Sequence, residues 1–346
     1  MTDADVSDAT PEQPLAEWVR LLDALTDNVA RVIFGKRDLI RLALIPLLAR
    51  GHLLLEDVPG VGKTMLARAL ARSIDAKFGR VQFTPDLMPL DITGSSVFLP
   101  NRGEFEFKPG PIFTDVLLAD EINRATPRTQ AALLECMAER QVTVDGTTHP
   151  LAPVFLVMAT LNPIEQMGTW PLPEAQLDRF LLRLSIGYPD AEAELEVLEA
   201  QQKLLKHPIE SLGPVLSQAE VRVLQEAVTR VAIEPNVRRY IVDLASATRA
   251  DEAFRLGVSP RGSLALMRSA QAFALLHGRM FVAPPDVQAI LPHVWSHRLL
   301  LHPQAALAGT TMADALAGLI ERVSVPLDRS GTPATTTTRP DDGGQR

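Results

Sequence analysis

Apolar residues follow two rhythms along this chain, and the change falls near Pro189. Before it, short near-continuous apolar runs (Leu53-Leu54-Leu55, Val116-Leu117-Leu118-Ala119 and Phe155-Leu156-Val157-Met158-Ala159) alternate with stretches of helical period. In one such stretch, Thr64 to Asp75, Leu66, Leu70 and Ile74 recur every four residues; Pro127 to Arg140 is another. Apolar runs without polar alternation are what parallel strands show when helices cover both faces. This part of the chain predicts a doubly wound α/β fold. After Pro189 the strand signals vanish. Helical stretches follow: Ala191 to Lys206, Ser217 to Val231, Asn236 to Ala250, Pro260 to His277 and Pro285 to Leu291. Pro284-Pro285-Asp286 opens the last of these as a proline near a first turn should. The organisation expected is an α/β domain over 15–188 and an all-helical domain over 189–328. Residues 1–14 and 329–346 are polar, with little to bury, and read as disordered ends.

Composition narrows this picture. At 346 residues the chain is long enough for two domains, each with its own core. Lys plus Arg number 34 against 42 Asp plus Glu, a net charge of -8, which argues against a general grip on nucleic acid. The lone cysteine, Cys136, excludes an internal disulfide or a multi-cysteine zinc site and reads as a small core residue. His293 and His297 stand four apart, a metal-ligand spacing, but no acidic or cysteine partner joins them. Residues 1–19 hold no Lys or Arg, unlike a signal peptide. The best apolar stretch, Leu151 to Leu161, is broken by Pro153 and falls far short of the ~20 residues a spanning helix needs. The expectation is a cytoplasmic protein without a membrane span.

Candidate chemistry lies at the strand ends. Asp57-Val58-Pro59-Gly60-Val61-Gly62-Lys63-Thr64, followed by Met65, leaves a strand and opens a helix, the setting of a phosphate-binding loop. Gly60 and Gly62 would let backbone N–H groups turn toward phosphates, Lys63 would add a point charge, and the Thr64 hydroxyl would ligate Mg2+. The first glycine of the G-x-x-x-x-G-K-T pattern is Asp57 here. A second strand ends in Asp120-Glu121. One carboxylate is suited to holding a hydrated Mg2+, the other to polarising an attacking water, so Asp120 takes the first role and Glu121 the second. A third strand ends in Leu161-Asn162-Pro163, where Asn162 is either a water-orienting side chain or an ordinary turn residue. Arg179 precedes the apolar pair Leu181-Leu182, and Arg261 stands at a helix N-terminus, where its charge opposes the helix dipole. Each is a phosphate partner or a solvated arginine.

Together these segments resemble the MoxR family of AAA+ ATPases. The resemblance rests on Asp57 to Thr64, Leu118-Ala119-Asp120-Glu121-Ile122-Asn123-Arg124-Ala125, Ala159 to Pro163, Leu177-Asp178-Arg179-Phe180 and Ser259-Pro260-Arg261. Phe83 to Pro89 and Asp91-Ile92-Thr93-Gly94 belong to it as well, and it runs from about residue 16 to 325. It implies a P-loop parallel-sheet domain followed by a helical lid, with ATP and Mg2+ bound. Adenine is then expected near Val32-Ile33-Phe34-Gly35-Lys36, Asn162 as sensor 1, Arg179 as an arginine finger and Arg261 as sensor 2. It further implies a homo-oligomeric, hexameric ring that remodels a protein client in a chaperone-like way, including metal-cofactor insertion, with a von Willebrand factor A domain protein as partner. A DNA-acting or chelatase-type motor is the alternative. Leu161 departs from the family's usual Gln, and Pro46 interrupts an early helix. Two hairpins are expected, over Gly94 to Phe113 around a Pro-Asn-Arg-Gly turn and over Val142 to Thr147 around Asp-Gly; in similar proteins they face the pore or the client.

Overall fold

The computed structural model describes residues 12–163, 168–203 and 208–325. Two helices come first, α1 (Glu12–Ala30) and α2 (Arg37–Leu48). Pro46 lies buried in the last turn of α2, and its carbonyl accepts the Gly51 N–H at 2.7 Å. Of the two ends read as disordered, most residues fall outside the described ones, and from Glu12 onward the chain is already helix.

The α/β part follows in order: β1 (Leu53–Glu56), α3 (Lys63–Ser73), β2 (Phe78–Gln82), α4 (Pro89–Thr93), β3 (Gly94–Leu99), β4 (Glu104–Pro109), β5 (Val116–Asp120), α5 (Pro127–Glu139), β6 (Gln141–Val144), β7 (Thr147–Pro150), β8 (Leu156–Leu161), α6 (Glu174–Leu177) and β9 (Leu182–Leu184). Five strands form a parallel sheet in the order β2-β5-β8-β1-β9. β1, β5 and β8 are the three apolar runs of the sequence, and they occupy the middle of the sheet. Their C-terminal ends lie nearly level, with Glu56 opposite Leu161 and Ala119 opposite Ala159. The loops that follow β1, β5 and β8 therefore leave one edge of the sheet side by side. The flanking strands carried little signal: β2 buries only Val81, and β9 is three residues long.

Both expected hairpins are present. β3 pairs with β4 around Pro100–Gly103, and β6 pairs with β7 around Asp145 and Gly146, whose φ angles of 50° and 77° suit a tight two-residue turn. Phe107 of the first stacks on His149 of the second at 4.1 Å.

The second half is helical: α7 (Ala191–Lys203), α8 (Gln218–Arg230), α9 (Pro235–Ala250), α10 (Pro260–Leu276), α11 (Pro284–Trp295), α12 (Pro303–Leu307) and α13 (Met312–Arg322). Residues 204–206, expected to extend α7, fall outside the described ones. Ser217 and Glu220 start α8 with a reciprocal capping box, and Thr311 and Asp314 do the same for α13. The additions to the expected helices are α12, α13 and a small antiparallel ribbon, β10 (Phe254–Leu256) with β11 (Leu300–Leu301).

Side-chain alternation divides the sheet between two buried clusters. Leu54, Leu117 and Val157 face the smaller one, shared with Leu133, Leu134 and Phe180. Leu53, Leu55 and Leu118 face the larger, which continues without a break into Leu224, Leu266 and Trp295. The two parts do not keep separate cores: α2 lies against α8 and α10 as well as β9, so burying its apolar flank welds them. Among the described residues, no helix is long and apolar enough to cross a membrane.

Candidate nucleotide site

The loop between β1 and α3 has the backbone its glycines permit. Gly60 and Gly62 adopt φ of 87° and 96°, the left-handed region that a side chain strains. A Cβ at Gly60 would touch nothing within 4 Å, so the backbone angle rather than crowding calls for glycine there. Gly62 caps α3, whose first turn offers free N–H groups and the positive end of the helix dipole. Lys63 donates from Nζ to the Asp57 carbonyl at 2.6 Å. Burial pushes its ammonium below the ordinary lysine value, while the charges of Asp57, Asp120 and Glu121 pull it back up. Lys63 thus stands within electrostatic reach of both strand-end acids. A glycine-opened loop, a helix N-terminus and a lysine converge here, and together they fit a phosphate chain.

Asp57, grouped with the phosphate loop from sequence, works in its frame. Its Oδ2 accepts the Gly187 N–H at 2.9 Å, the Ser185 hydroxyl at 3.1 Å and the Ile186 N–H, and the residue is buried. The carboxylate therefore fastens the start of the loop to the segment after β9.

At the end of β5 the chain turns at Glu121, which adopts φ 56° and ψ 52° before the short 3-10 turn Ile122–Arg124. A left-handed glutamate is strained, by about 1–3 kcal/mol, and such strain gathers at functional sites. Thr160 of β8 holds the turn: its hydroxyl donates to Asp120 Oδ1 at 2.7 Å and accepts the Glu121 N–H at 2.7 Å. Arg80 reaches Asp120 Oδ2 at 2.8 Å. Glu121 Oε2 accepts from Gln82 Nε2 at 2.8 Å and from Arg124 Nη1 at 3.0 Å. Asn162, one residue past β8, is buried beside the start of the loop, where the Asp57 N–H donates to the Leu161 carbonyl at 3.2 Å. The Thr64 hydroxyl and the Asp120 carboxylate are hard oxygen donors of the kind Mg2+ takes.

Beside the loop lies a cleft of about 490 Å³. Val32, Ile33, Phe34, Val61 and Met65 line it, and so do Gly60 and Gly62, matching the expected adenine region. Gly35 lies outside the lining. Its φ is 66°, and a Cβ there would come within 2.8 Å of the Ala193 Cβ, so glycine lets α7 close on this loop. The opposite wall, from Ile186 to Pro189 with Val197 on α7, was not singled out from sequence, because it is assembled across more than 150 residues. Thr160, Gln82 and Arg80 were missed too. A hydroxyl at the end of an otherwise apolar strand was the one local signal for Thr160.

Arg179 and Arg261 lie elsewhere. The Leu181 N–H bonds the His52 carbonyl at 2.8 Å, at the N-terminal end of β1, so Arg179 precedes the sheet's opposite edge. At ~3.3 Å per residue it stands on the order of 20 Å from the strand ends that carry Lys63 and Asp120. Its Nη1 donates to the Leu134 carbonyl of α5 at 2.5 Å. Arg261 is exposed in the first turn of α10, whose cap Ser259 contacts Asp178. The structure therefore brings together Lys63, Asp120, Glu121 and Asn162 at one edge, and the two arginines at the other. His293 and His297 form no metal cluster with other described residues, and Cys136 is buried in the core.

A parallel sheet with a glycine-lysine loop beside an Asp-Glu strand end, followed by a helical lid, defines an AAA+ P-loop ATPase. The family model for the ATPase family associated with various cellular activities (AAA) matches residues 52–182, and the AAA lid domain model matches residues 246–317. The chain is 52% identical over 310 residues to the uncharacterized protein YeaC of Bacillus subtilis, covering 90% of this chain and 96% of that one. It is 42% identical over 296 residues to the chaperone MoxR1 of Mycobacterium tuberculosis, covering 83% and 78%. A crystal structure of a candidate ATPase from Cytophaga hutchinsonii superposes with a TM-score of 0.84 at 35% identity, over 91% of this chain and 98% of that one. The chain belongs to the MoxR family of AAA+ ATPases.

Proposed function

We propose that this chain hydrolyses ATP with Mg2+ at the interfaces of a homo-oligomeric ring, a hexamer, and spends the cycle on remodelling or maturing a protein client. What supports a shared site most is the placement of Arg179 and Arg261 at the sheet edge opposite Lys63, Asp120 and Glu121. In this structure Arg179 bonds α5 and Arg261 lies beside Arg298, neither of them on the phosphate loop, which favours a phosphate supplied by another subunit.

The triphosphate lies along Gly60 to Thr64 with its base in the adjacent cleft. Thr64 and Asp120 would hold Mg2+, which would supply positive charge against the triphosphate. Glu121 takes the proton of the attacking water, with Asn162 orienting that water. Arg179 of a neighbour stabilises charge in the transition state, an effect of about 10³–10⁵-fold where arginine fingers act. The relative named as a chaperone supports a protein client, and the exposed Phe98–Phe105 pair on the first hairpin, with ring centroids 5.2 Å apart, offers it an apolar contact. A von Willebrand factor A domain protein is the partner expected, and the cytoplasm the compartment.

Mixing two inactive variants tests the shared site. Lys63→Ala lacks its own phosphate loop and Arg179→Ala lacks the finger, so each alone is slow. Mixed rings contain interfaces where an intact loop meets an intact finger, and ATP turnover returns. Co-assembly on size exclusion without any recovery of turnover overturns the proposal.

A further inference from the structure

Between the two distant arginines lies a third that is neither exposed nor free. The Arg298 side chain is 3% exposed, and all five of its N–H groups are engaged. Nε donates to Asp178 Oδ1 at 2.7 Å; Nη1 donates to the Leu181 carbonyl at 3.1 Å and to that of Val294. Nη2 donates to the Phe180 carbonyl at 2.5 Å and the Asp178 carbonyl at 3.3 Å. Every acceptor except Val294 belongs to the four-residue segment that carries Arg179. Next to it, His297 donates from Nε2 to the same Phe180 carbonyl at 3.0 Å. Burial and the neighbouring Arg298 and Arg183 charges keep that imidazole neutral, so it adds a hydrogen bond without adding charge.

The other side of the Arg298 stem faces the start of α10. A Cβ on Gly262 would meet Val258 Cγ1 at 2.7 Å and Arg298 Cδ at 3.2 Å, so glycine lets the helix's first turn sit against both. Trp295 Nε1 bonds the Gly262 carbonyl at 3.0 Å and fixes that turn from below. Asp178 completes the bridge: its second oxygen accepts from Ser259, the cap of α10, at 3.4 Å. Arg261 is two residues past Ser259 and close enough for its charge to act on Arg298. Arg179 is covalently next to Asp178. One buried guanidinium and one carboxylate thus join the backbone segments carrying both arginines.

We infer that Arg298 and Asp178 are positioning residues that hold Arg179 and Arg261 as one block, so that both are presented together to the nucleotide of a neighbouring subunit. This rests on the reading that Arg179 acts in trans. Arg298 touches no phosphate itself; it acts through the backbone on either side. The arrangement suits such a task. A guanidinium with every donor engaged has no alternative partners, and its planar fork fixes direction as well as distance. Arg179, partly buried against α5, and the exposed Arg261 both sit on long stems and gain direction only where the backbones beneath them are fixed.

Asp178→Asn tests this, since it keeps the shape and removes the countercharge. Arg298→Lys is the second variant, with three donors for five acceptors. Each is expected to bind ATP within about twofold of the wild type while turnover falls by roughly 10²-fold, the cost of a catalytic group displaced by about 1 Å. Mixed rings separate positioning from mere fastening of the lid. With an intact phosphate loop and a displaced finger, either variant should regain turnover with Lys63→Ala and none with Arg179→Ala. Wild-type turnover in a folded variant, recovery with Arg179→Ala, or no recovery with Lys63→Ala while Arg179→Ala does recover with it, each overturns the inference. If Arg179→Ala and Lys63→Ala themselves fail to complement, the trans reading falls first and takes this one with it.

Discussion

Gln82, the last residue of β2, donates a 2.8 Å hydrogen bond to the carboxylate of Glu121. That oxygen also accepts from Arg124, so in the role proposed for Glu121 Oε1 would be the atom that meets the water. Glu121→Gln is expected to bind ATP as before and hydrolyse it about 10²–10⁴-fold more slowly, the usual worth of a positioned base. Gln82→Ala frees the carboxylate to wander, and kcat is expected to drop about 3–10-fold with KM unchanged. A phosphate-release assay over a range of ATP concentrations separates the two. A rise in kcat for Gln82→Ala would mean that the contact restrains the base instead of aiming it.

Lys63→Ala removes the cation that bonds the Asp57 carbonyl in this structure and faces the strand-end acids. Without it, the acidic side chains confront the triphosphate unopposed. Titration calorimetry should show about a 10–10²-fold loss of ATP affinity, the scale of one charge-assisted contact of about 1.5–3 kcal/mol. Retained micromolar affinity would contradict the assignment of this loop.

Thr160→Val keeps the shape of the side chain and deletes the hydroxyl that joins Asp120 to Glu121. It strands the Glu121 N–H in a partly buried place, so stability should fall by about 1–3 kcal/mol in urea unfolding. Because Asp120 loses its orienting bond, the Mg2+ concentration giving half-maximal turnover should rise as well. Unchanged Mg2+ dependence would show that Asp120 is held well enough by Arg80 alone.

These residues also mark where sequence reading stops. The phosphate loop is contiguous, and its chemistry is carried by eight neighbouring residues, so it was legible. β1, β5 and β8 were legible because strands covered on both faces read as near-continuous apolar runs, polar only toward their ends. β2 was not: Phe78-Gly79-Arg80-Val81-Gln82 is an edge strand with one buried side chain, and its pattern is that of a loop. Missing β2 meant missing Gln82 and Arg80, which reach the acids only because β2 pairs with β5 in register. Arg179 and Arg261 were recognisable as types. Their place at the far edge depends on strand direction and lid docking, which no local window contains. Arg298 gave no signal at all, since its partner Asp178 is 120 residues away.

His52 gives the fold a pH dependence with a definite sign. Its Nε2–H donates to the Met137 carbonyl at 3.1 Å and its Nδ1 accepts the Val157 N–H at 3.0 Å, an arrangement that only the neutral ring can make. Burial, with the nearby Arg140 charge and against the Met137 bond, pushes its pKa down from 6.5 to about 4. Between those values the unfolded chain takes up a proton that the folded one refuses. Stability is therefore intact above about pH 6.5 and falls as pH drops toward 4, by on the order of 3 kcal/mol. His297, lowered in the same direction, adds to the slope. Urea unfolding at about pH 7.5 and about pH 5 should show the loss, and His52→Gln should flatten it; equal stability at both values in the wild type would count against this account.

The weld at α2 bears on how such proteins can diverge. Gln225 of α8 donates to the Leu47 carbonyl at 2.8 Å, and Asn28 of α1 reaches the Gly213 carbonyl at 3.0 Å. The opening helices and the lid, separated along the chain by the whole parallel sheet, are thus fitted to each other. A chimera that exchanges the lid alone would set foreign side chains against an inherited partner, whereas one that carries residues 12–48 along with it would not. Drift at one end of this chain has to be answered at the other.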